Sequence, residues 1–280
     1  MLRLSVPVAL GAGVLQLSTL LDKGIAFLLA VGLDESGQRI ERFMLLGEWF
    51  RYPMELGAAA RLNWAQYLYQ FPLGIFAIAL ATAIFPSLSD NALDADRERF
   101  RAVLRRGIEA TLLIGLPASV GLIVVRYPAI RLLFERGEFT PDDTRLVARS
   151  LAFYAAAVWA FSLQQIFNRA YYALHDTLTP LVMSIVTLVV NLAVELPLIW
   201  TALGEAGMAA GTCASFVVQS LVMLAMLSRR VGGLEMRRSL PFILKTLVAS
   251  AVMLGACLAA GLLPIFEEHR RGKEAWAAQL

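Results

Sequence analysis

The stretch 178–203 reads LTPLVMSIVTLVVNLAVELPLIWTAL, an apolar run long enough to cross a bilayer. About 20 residues rising about 1.5 Å each span a hydrocarbon core of about 30 Å. Asn191 and Glu195 sit inside this run, four positions apart and therefore on one helical face. A carboxylate at that depth is costly without a partner and marks a functional site. Whatever fold the chain adopts must bring something to Glu195.

Five further runs and one interrupted run of the same kind fill most of the 280 residues. The chain is 58% hydrophobic and 17% charged, against about 45–50% and about 25% for soluble domains. It reads as an all-α, polytopic helical membrane protein with about seven transmembrane helices. A transmembrane barrel would instead alternate in strands of about 10 residues. The net charge of +3 comes from arginines in short loops, where charge sets topology. No basic stripe with interleaved aromatics points to nucleic acid. Cys213 and Cys257 both fall within apolar runs and read as small packing residues, not as a disulfide or metal pair. Residues 1–33 are too long for a cleavable signal peptide and carry Asp22-Lys23. No His/Asp or Ser-based cluster suggests an enzyme.

The spans are expected at about 4–33, 58–89, 108–125, 150–174, 178–203, 206–228 and 239–265. Residues 1–265 thus form one transmembrane bundle, and 266–280 a polar tail. The segment 34–57 has mixed charge and carries Phe43, Leu45, Leu46, Trp49 and Phe50, which suggests a short amphipathic helix lying at the interface. Pro72-Leu73-Gly74 predicts a kink or break in the second span. The segment 90–107, with Arg97, Arg99, Arg101, Arg105 and Arg106, reads as a basic amphipathic helix along a membrane surface. Thr140-Pro141-Asp142-Asp143 has the form of a helix start. The sixth span is rich in small residues (Gly207, Ala209, Ala210, Gly211) suited to close helix contact.

Alternating spans bring one further constraint. The first and fifth run the same way and the sixth runs opposite, so Asp22, Glu195 and Thr212 all lie roughly 9–16 Å from one membrane face at about 1.5 Å per residue. Asp22, Asn191, Glu195 and Thr212 together offer oxygen ligands that suit a hard cation. A shared proton, an ion pair with Lys23 and a purely structural polar cluster fit the same residues, and spacing does not choose among them. Gln66 and Gln70, spaced i, i+4, could line a polar cavity with Asn63 and Arg61, as a substrate site or as interhelical hydrogen bonds. Gln164, Gln165, Asn168 and Arg169 form a second polar patch, with Arg169 placed to snorkel.

Three stretches in order, AQYLYQFPLGIFAIALATAIFPSLS (65–89), RLLFERGEFTPDDT (131–144) and FNRAYYALHDTLTPL (167–181), resemble the MurJ/MviN family. Its members are lipid II flippases within the multidrug/oligosaccharidyl-lipid/polysaccharide exporter superfamily. The likeness covers nearly the whole chain and matches the C-terminal lobe of a two-lobed MATE-like fold. It implies a multi-pass protein of the bacterial cytoplasmic (inner) membrane. The N-terminus, 90–107 and 229–238 would be cytoplasmic, and the loop bearing Asp142-Asp143 periplasmic. The function it implies is flipping lipid II, or a related polyprenyl-pyrophosphate saccharide, with possible coupling to Na+ and membrane potential. It makes Asp22, Asn191, Glu195 and Thr212 the candidates for a Na+ site, with a backbone carbonyl near Met208 as a weaker one. Glu195 stands where a shorter Asp is expected, and an Asp-Arg pair of the family reads Gln66-Tyr67 here. The family's N-terminal lobe would be a partner, so the chain is expected to be a piece of a longer product or half of a two-chain transporter. A drug/cation antiporter of the same superfamily and a non-transporting membrane scaffold are the other readings.

Overall fold

The structure, a computed structural model, describes residues 2–33, 38–45, 48–93 and 96–261. In chain order the helices are α1 (Leu2–Leu28), α2 (Ala58–Pro72), α3 (Ala79–Leu93), α4 (Arg97–Phe134), α5 (Pro141–Ala156), α6 (Val158–Ala173), α7 (Leu178–Ile199), α8 (Glu205–Arg230) and α9 (Leu240–Gly261). Four short strands lie between α1 and α2: β1 (Gly32–Leu33), β2 (Arg39–Ile40), β3 (Arg42–Leu45) and β4 (Glu48–Arg51). Among the described residues five helices are long and apolar enough to cross a membrane, or six if the bent pair α5–α6 is one span. That is one or two fewer than the seven expected spans. The polar tail 266–280 and the end of the last expected span lie outside the described residues.

Local chemistry explains most boundaries. Pro72 cannot donate to the ladder, and Leu73–Ile78 continues as a π-helical turn between α2 and α3. The expected break near Pro72 is therefore a local widening of the helix. Thr140 caps α5: its hydroxyl accepts from Asp143 N, and Asp143 Oδ2 accepts from Thr140 N at 3.0 Å, with Pro141 in the first turn. The fourth span is two helices bent by 43° at Ala157.

Two expectations are corrected. The described residues of 34–57 form no interfacial helix: β3 and β4 pair antiparallel, Phe43 with Phe50 and Met44 with Trp49. The alternation decides it, because Arg42, Met44, Trp49 and Arg51 share one face while Phe43 and Phe50 share the other. The chain leaves the bundle at Leu29 and rejoins it at Met54, where Val31 N donates to the Met54 carbonyl and Met54 N to the Leu29 carbonyl. Nor is 90–107 a separate surface helix. Asp96 caps a helix at Arg99 N that runs 38 residues without interruption. Arg97, Arg99 and Arg106 are exposed and Arg101 and Arg105 half-buried, while Phe100, Leu104 and Ile108 are buried. Gly107 does not end it; a Cβ there would stand 3.1 Å from Ile84 Cδ1, so the bare backbone lets α3 pack close.

The core has two parts. One joins Leu88, Phe100, Leu104, Ile108, Phe167, Tyr171 and Met223. The other, at the end bearing the strands, joins Ala26, Met54, Leu62, Leu151, Tyr154, Ile199 and Met208. Large apolar side chains such as Phe27, Leu132, Val248 and Val252 stay exposed, which an aqueous surface would penalise and a lipid surface does not.

Candidate cation cluster and polar cavity

α1 packs along α7, which in turn packs along α8. The second contact is backbone against backbone. A Cβ on Gly207 would meet Leu198 C and O at 2.7 Å, and one on Gly211 would meet Glu195 Cβ at 2.8 Å. Small residues at i, i+4 therefore set the depth at which Glu195 sits.

The three helices bring the expected residues together. Asn191 Nδ2 donates to Asp22 Oδ1 at 3.2 Å and to Glu195 Oε2 at 3.1 Å. Glu195 is fully buried, Asn191 nearly so, and Asp22 only partly. Thr212, buried on the facing side of α8, donates its hydroxyl to the Met208 carbonyl at 3.1 Å. Two buried acceptors, Glu195 Oε1 and Asn191 Oδ1, have no hydrogen-bond partner. Buried polar atoms are nearly always paired, so two orphaned oxygens beside a second carboxylate leave a concentration of negative potential that a small hard cation fits. Lys23 is exposed and, among the described residues, pairs with neither carboxylate. The Met208 carbonyl lies inside an unbroken α8 and already accepts from Thr212, so it is less free than the side-chain oxygens.

Asp22 and Thr212 also reach a cavity of about 620 Å³. Gln66 and Gln70 from α2 line it, and Gln164, Gln165, Asn168 and Arg169 from α6 face them. The two polar patches of the sequence are thus walls of one space. Gln66 also reaches Tyr154, at the end of a stacked series Tyr154–Tyr69–Phe161 with centroids 4.9 Å apart at each step. Asn63 borders a small void beside Asp22 and Tyr154.

Arg61 is placed elsewhere. It is buried and holds Glu205 in a fork, Nε to Oε1 at 3.1 Å and Nη2 to Oε2 at 2.7 Å. Its Nη1 donates to Asp143 Oδ1 at 3.0 Å and to the Leu56 carbonyl at 2.8 Å. It ties the starts of α2, α5 and α8 together and does not line the cavity with Gln66 and Gln70. Sequence reasoning missed this cluster. The signal available was Glu205 in the first turn of an apolar helix and Asp143 in a capping box, both acids at helix starts near one membrane face.

Helices packed around a polar cavity, with a widened second span and a bent fourth, make a fold of the MurJ and MATE type. The chain superposes on a solved lipid II flippase MurJ in an inward closed conformation with TM-score 0.63 and 24% identity, covering 74% of this chain and 42% of that one. It also superposes on an outward-facing multidrug resistance MATE family transporter with TM-score 0.63 and 17% identity, covering 90% and 53%. Within that class the family is specific: the model for lipid II flippase MurJ matches residues 1–267, and the chain belongs to that family. It is 34% identical over 206 residues to a probable lipid II flippase MurJ of Vibrio cholerae, covering 73% of this chain and 39% of the relative. The corresponding protein of Rhizobium meliloti is 33% identical, covering 74% and 37%. The chain therefore spans well under half the length of these relatives. It is a multi-pass protein of the bacterial inner membrane.

Proposed function

We propose that this chain is the C-terminal lobe of a lipid II flippase. It moves undecaprenyl-pyrophosphate-linked saccharide from the cytoplasmic to the periplasmic leaflet, with Na+ and membrane potential as the drive. No bond is made or broken. Family membership supports the substrate, and the observation that carries the coupling is the pair of orphaned acceptors on Glu195 and Asn191 beside Asp22. Asp22, Asn191, Glu195 and Thr212 would hold the ion; bound, it neutralises carboxylates that are otherwise costly at this depth.

The residues divide the work by position. Asp22 stands where the cluster meets the cavity, so it is the carboxylate an entering cation reaches first. Asn191 couples it to Glu195, which belongs to the tightly packed α7–α8 pair. A cation shared by Asp22 and Glu195 therefore clamps α1 onto α7 and α8, and its loss frees α1 to move. The amides of Gln66, Gln70 and Asn168 offer both donors and acceptors to the headgroup as it passes. Alternating access requires a second lobe rocking against this one.

The test is genetic rescue. The complete gene product containing this chain is expressed in bacteria depleted of their own lipid II flippase. Growth and normal cell shape are expected, and are lost when Asp22→Asn and Glu195→Gln are combined. Failure of the wild-type product to rescue, despite normal membrane levels, would refute the flippase reading.

A further inference from the structure

A second cavity, of about 580 Å³, opens between the strand insertion and the α7–α8 turn. Its wall carries Arg39, Glu41, Arg51 and Glu55 from the insertion, with Trp200 and Thr201 from the turn. The site is built in advance. One side of Trp200 rests on the hairpin, its ring centroid 6.4 Å from Phe43 and 6.3 Å from Phe50. The turn is pinned by Arg149, whose Nη2 donates to the Ala202 carbonyl at 2.8 Å. Gly204, at φ +53°, admits the Pro53 carbonyl where a Cβ would lie 3.3 Å from it. Little ordering cost therefore remains for a ligand to meet.

What the walls leave unsatisfied indicates the ligand. Half of Trp200 is exposed, although its hairpin side is covered. Arg51 and Glu41 stand 3.9 Å apart with most of each side chain in water, a long pair that a ligand can part. A purely apolar ligand would strand four charged groups. A simple anion would meet Glu41 and Glu55, and a simple cation Arg39 and Arg51. A sugar ring stacked on the indole, attached to a peptide bearing both carboxylates and an ammonium group, satisfies all of these walls.

We propose that this cavity binds the saccharide–peptide portion of the lipid-linked precursor outside the membrane. The ligand's identity rests on the flippase reading. The cavity shares an end of the bundle with Asp143, because Arg61 contacts both Asp143 and the insertion's Leu56 carbonyl. In that reading this end is periplasmic, so the site holds the headgroup after it has crossed and before release.

Calorimetric titration of the purified chain tests it, using a soluble N-acetylglucosaminyl–N-acetylmuramyl peptide without lipid or pyrophosphate. Saturable binding is expected in the millimolar range or tighter, weakened about tenfold by Trp200→Ala and by the exposed-site change Arg51→Ala, and unchanged by Val252→Ala on the outer face of α9. Arg51→Ala keeps the test sound if Trp200→Ala disturbs the hairpin. Absence of saturable binding, or binding that both variants leave intact, overturns the proposal. A parallel titration with the whole pyrophosphate-linked lipid separates the two readings. Binding of the lipid that depends on Gln70 and Asn168, without binding of the soluble headgroup, removes the second site and leaves the flippase reading standing. Failure of both titrations removes both.

Discussion

Replacing Gly211 with alanine tests whether the α7–α8 contact sets the position of Glu195. The added Cβ would lie 2.8 Å from Glu195 Cβ and 3.0 Å from its Cα and N. Non-bonded carbons prefer about 3.5–4.0 Å, so the helices must part by about 1 Å at this level. The obstructing atoms are backbone and Cβ, not the end of a flexible side chain, so no rotamer change relieves them. Overpacking of this kind costs about 1–3 kcal/mol, partly offset by up to about 1 kcal/mol from alanine's helix propensity. Gly255→Ala in α9, where a Cβ meets nothing within 4 Å, keeps the propensity gain without the clash. Denaturant unfolding in micelles should place Gly211→Ala about 1–3 kcal/mol below Gly255→Ala. Equal stabilities would refute the claim that this contact is rigid and would detach Glu195's placement from it.

Other outcomes follow from particular contacts. Arg61→Met leaves the buried Glu205 carboxylate without its fork and should destabilise by about 3–5 kcal/mol, while Arg61→Met combined with Glu205→Leu recovers most of the loss; unfolding curves of the two variants decide it. Asp176 lies in the turn before α7, outside the spans, and accepts from Thr179 N at 2.9 Å and Thr179 Oγ1 at 2.7 Å, with Arg230 beside it. Partial burial pushes its carboxyl up, but the Thr179 bonds and Arg230 outweigh this and hold it below the usual range. Its contribution is therefore present above about pH 4, the ordinary carboxylate value, and is lost as pH falls through the lowered one. Asp176→Ala should cost about 1 kcal/mol at pH 7, with the gap to wild type closing below about pH 4 in pH-dependent melting.

Much of this arrangement was legible in the chain itself. Apolar runs located the membrane helices because only a helix satisfies its own backbone in lipid. Depth counting brought Asp22, Glu195 and Thr212 to one level because rise per residue is fixed, and the i, i+4 spacing added Asn191 to the face of Glu195. The Thr140-Pro141-Asp143 cap was readable because its chemistry is entirely local. Three things were not. The hairpin at Arg42–Arg51 was hidden by mixed charge, although its period-2 alternation was present. The continuity of α4 depended on Gly107 being packed against Ile84, a tertiary contact that overrides glycine's weak helix propensity. Arg61 read as a cavity residue because its partners, Asp143 and Glu205, lie 82 and 144 positions away. Long-range ion pairs leave no periodic trace.

The most direct measurement is the melting temperature of the purified chain in sodium against N-methylglucamine at equal ionic strength. A ligand bound by the folded state alone stabilises by about 2.7 kcal/mol at one hundred times its dissociation constant. A rise that saturates with sodium, and that vanishes in Glu195→Gln, is the expected result. Identical melting in the two salts, or a sodium response that survives Glu195→Gln, would contradict a cation held between α1 and α7.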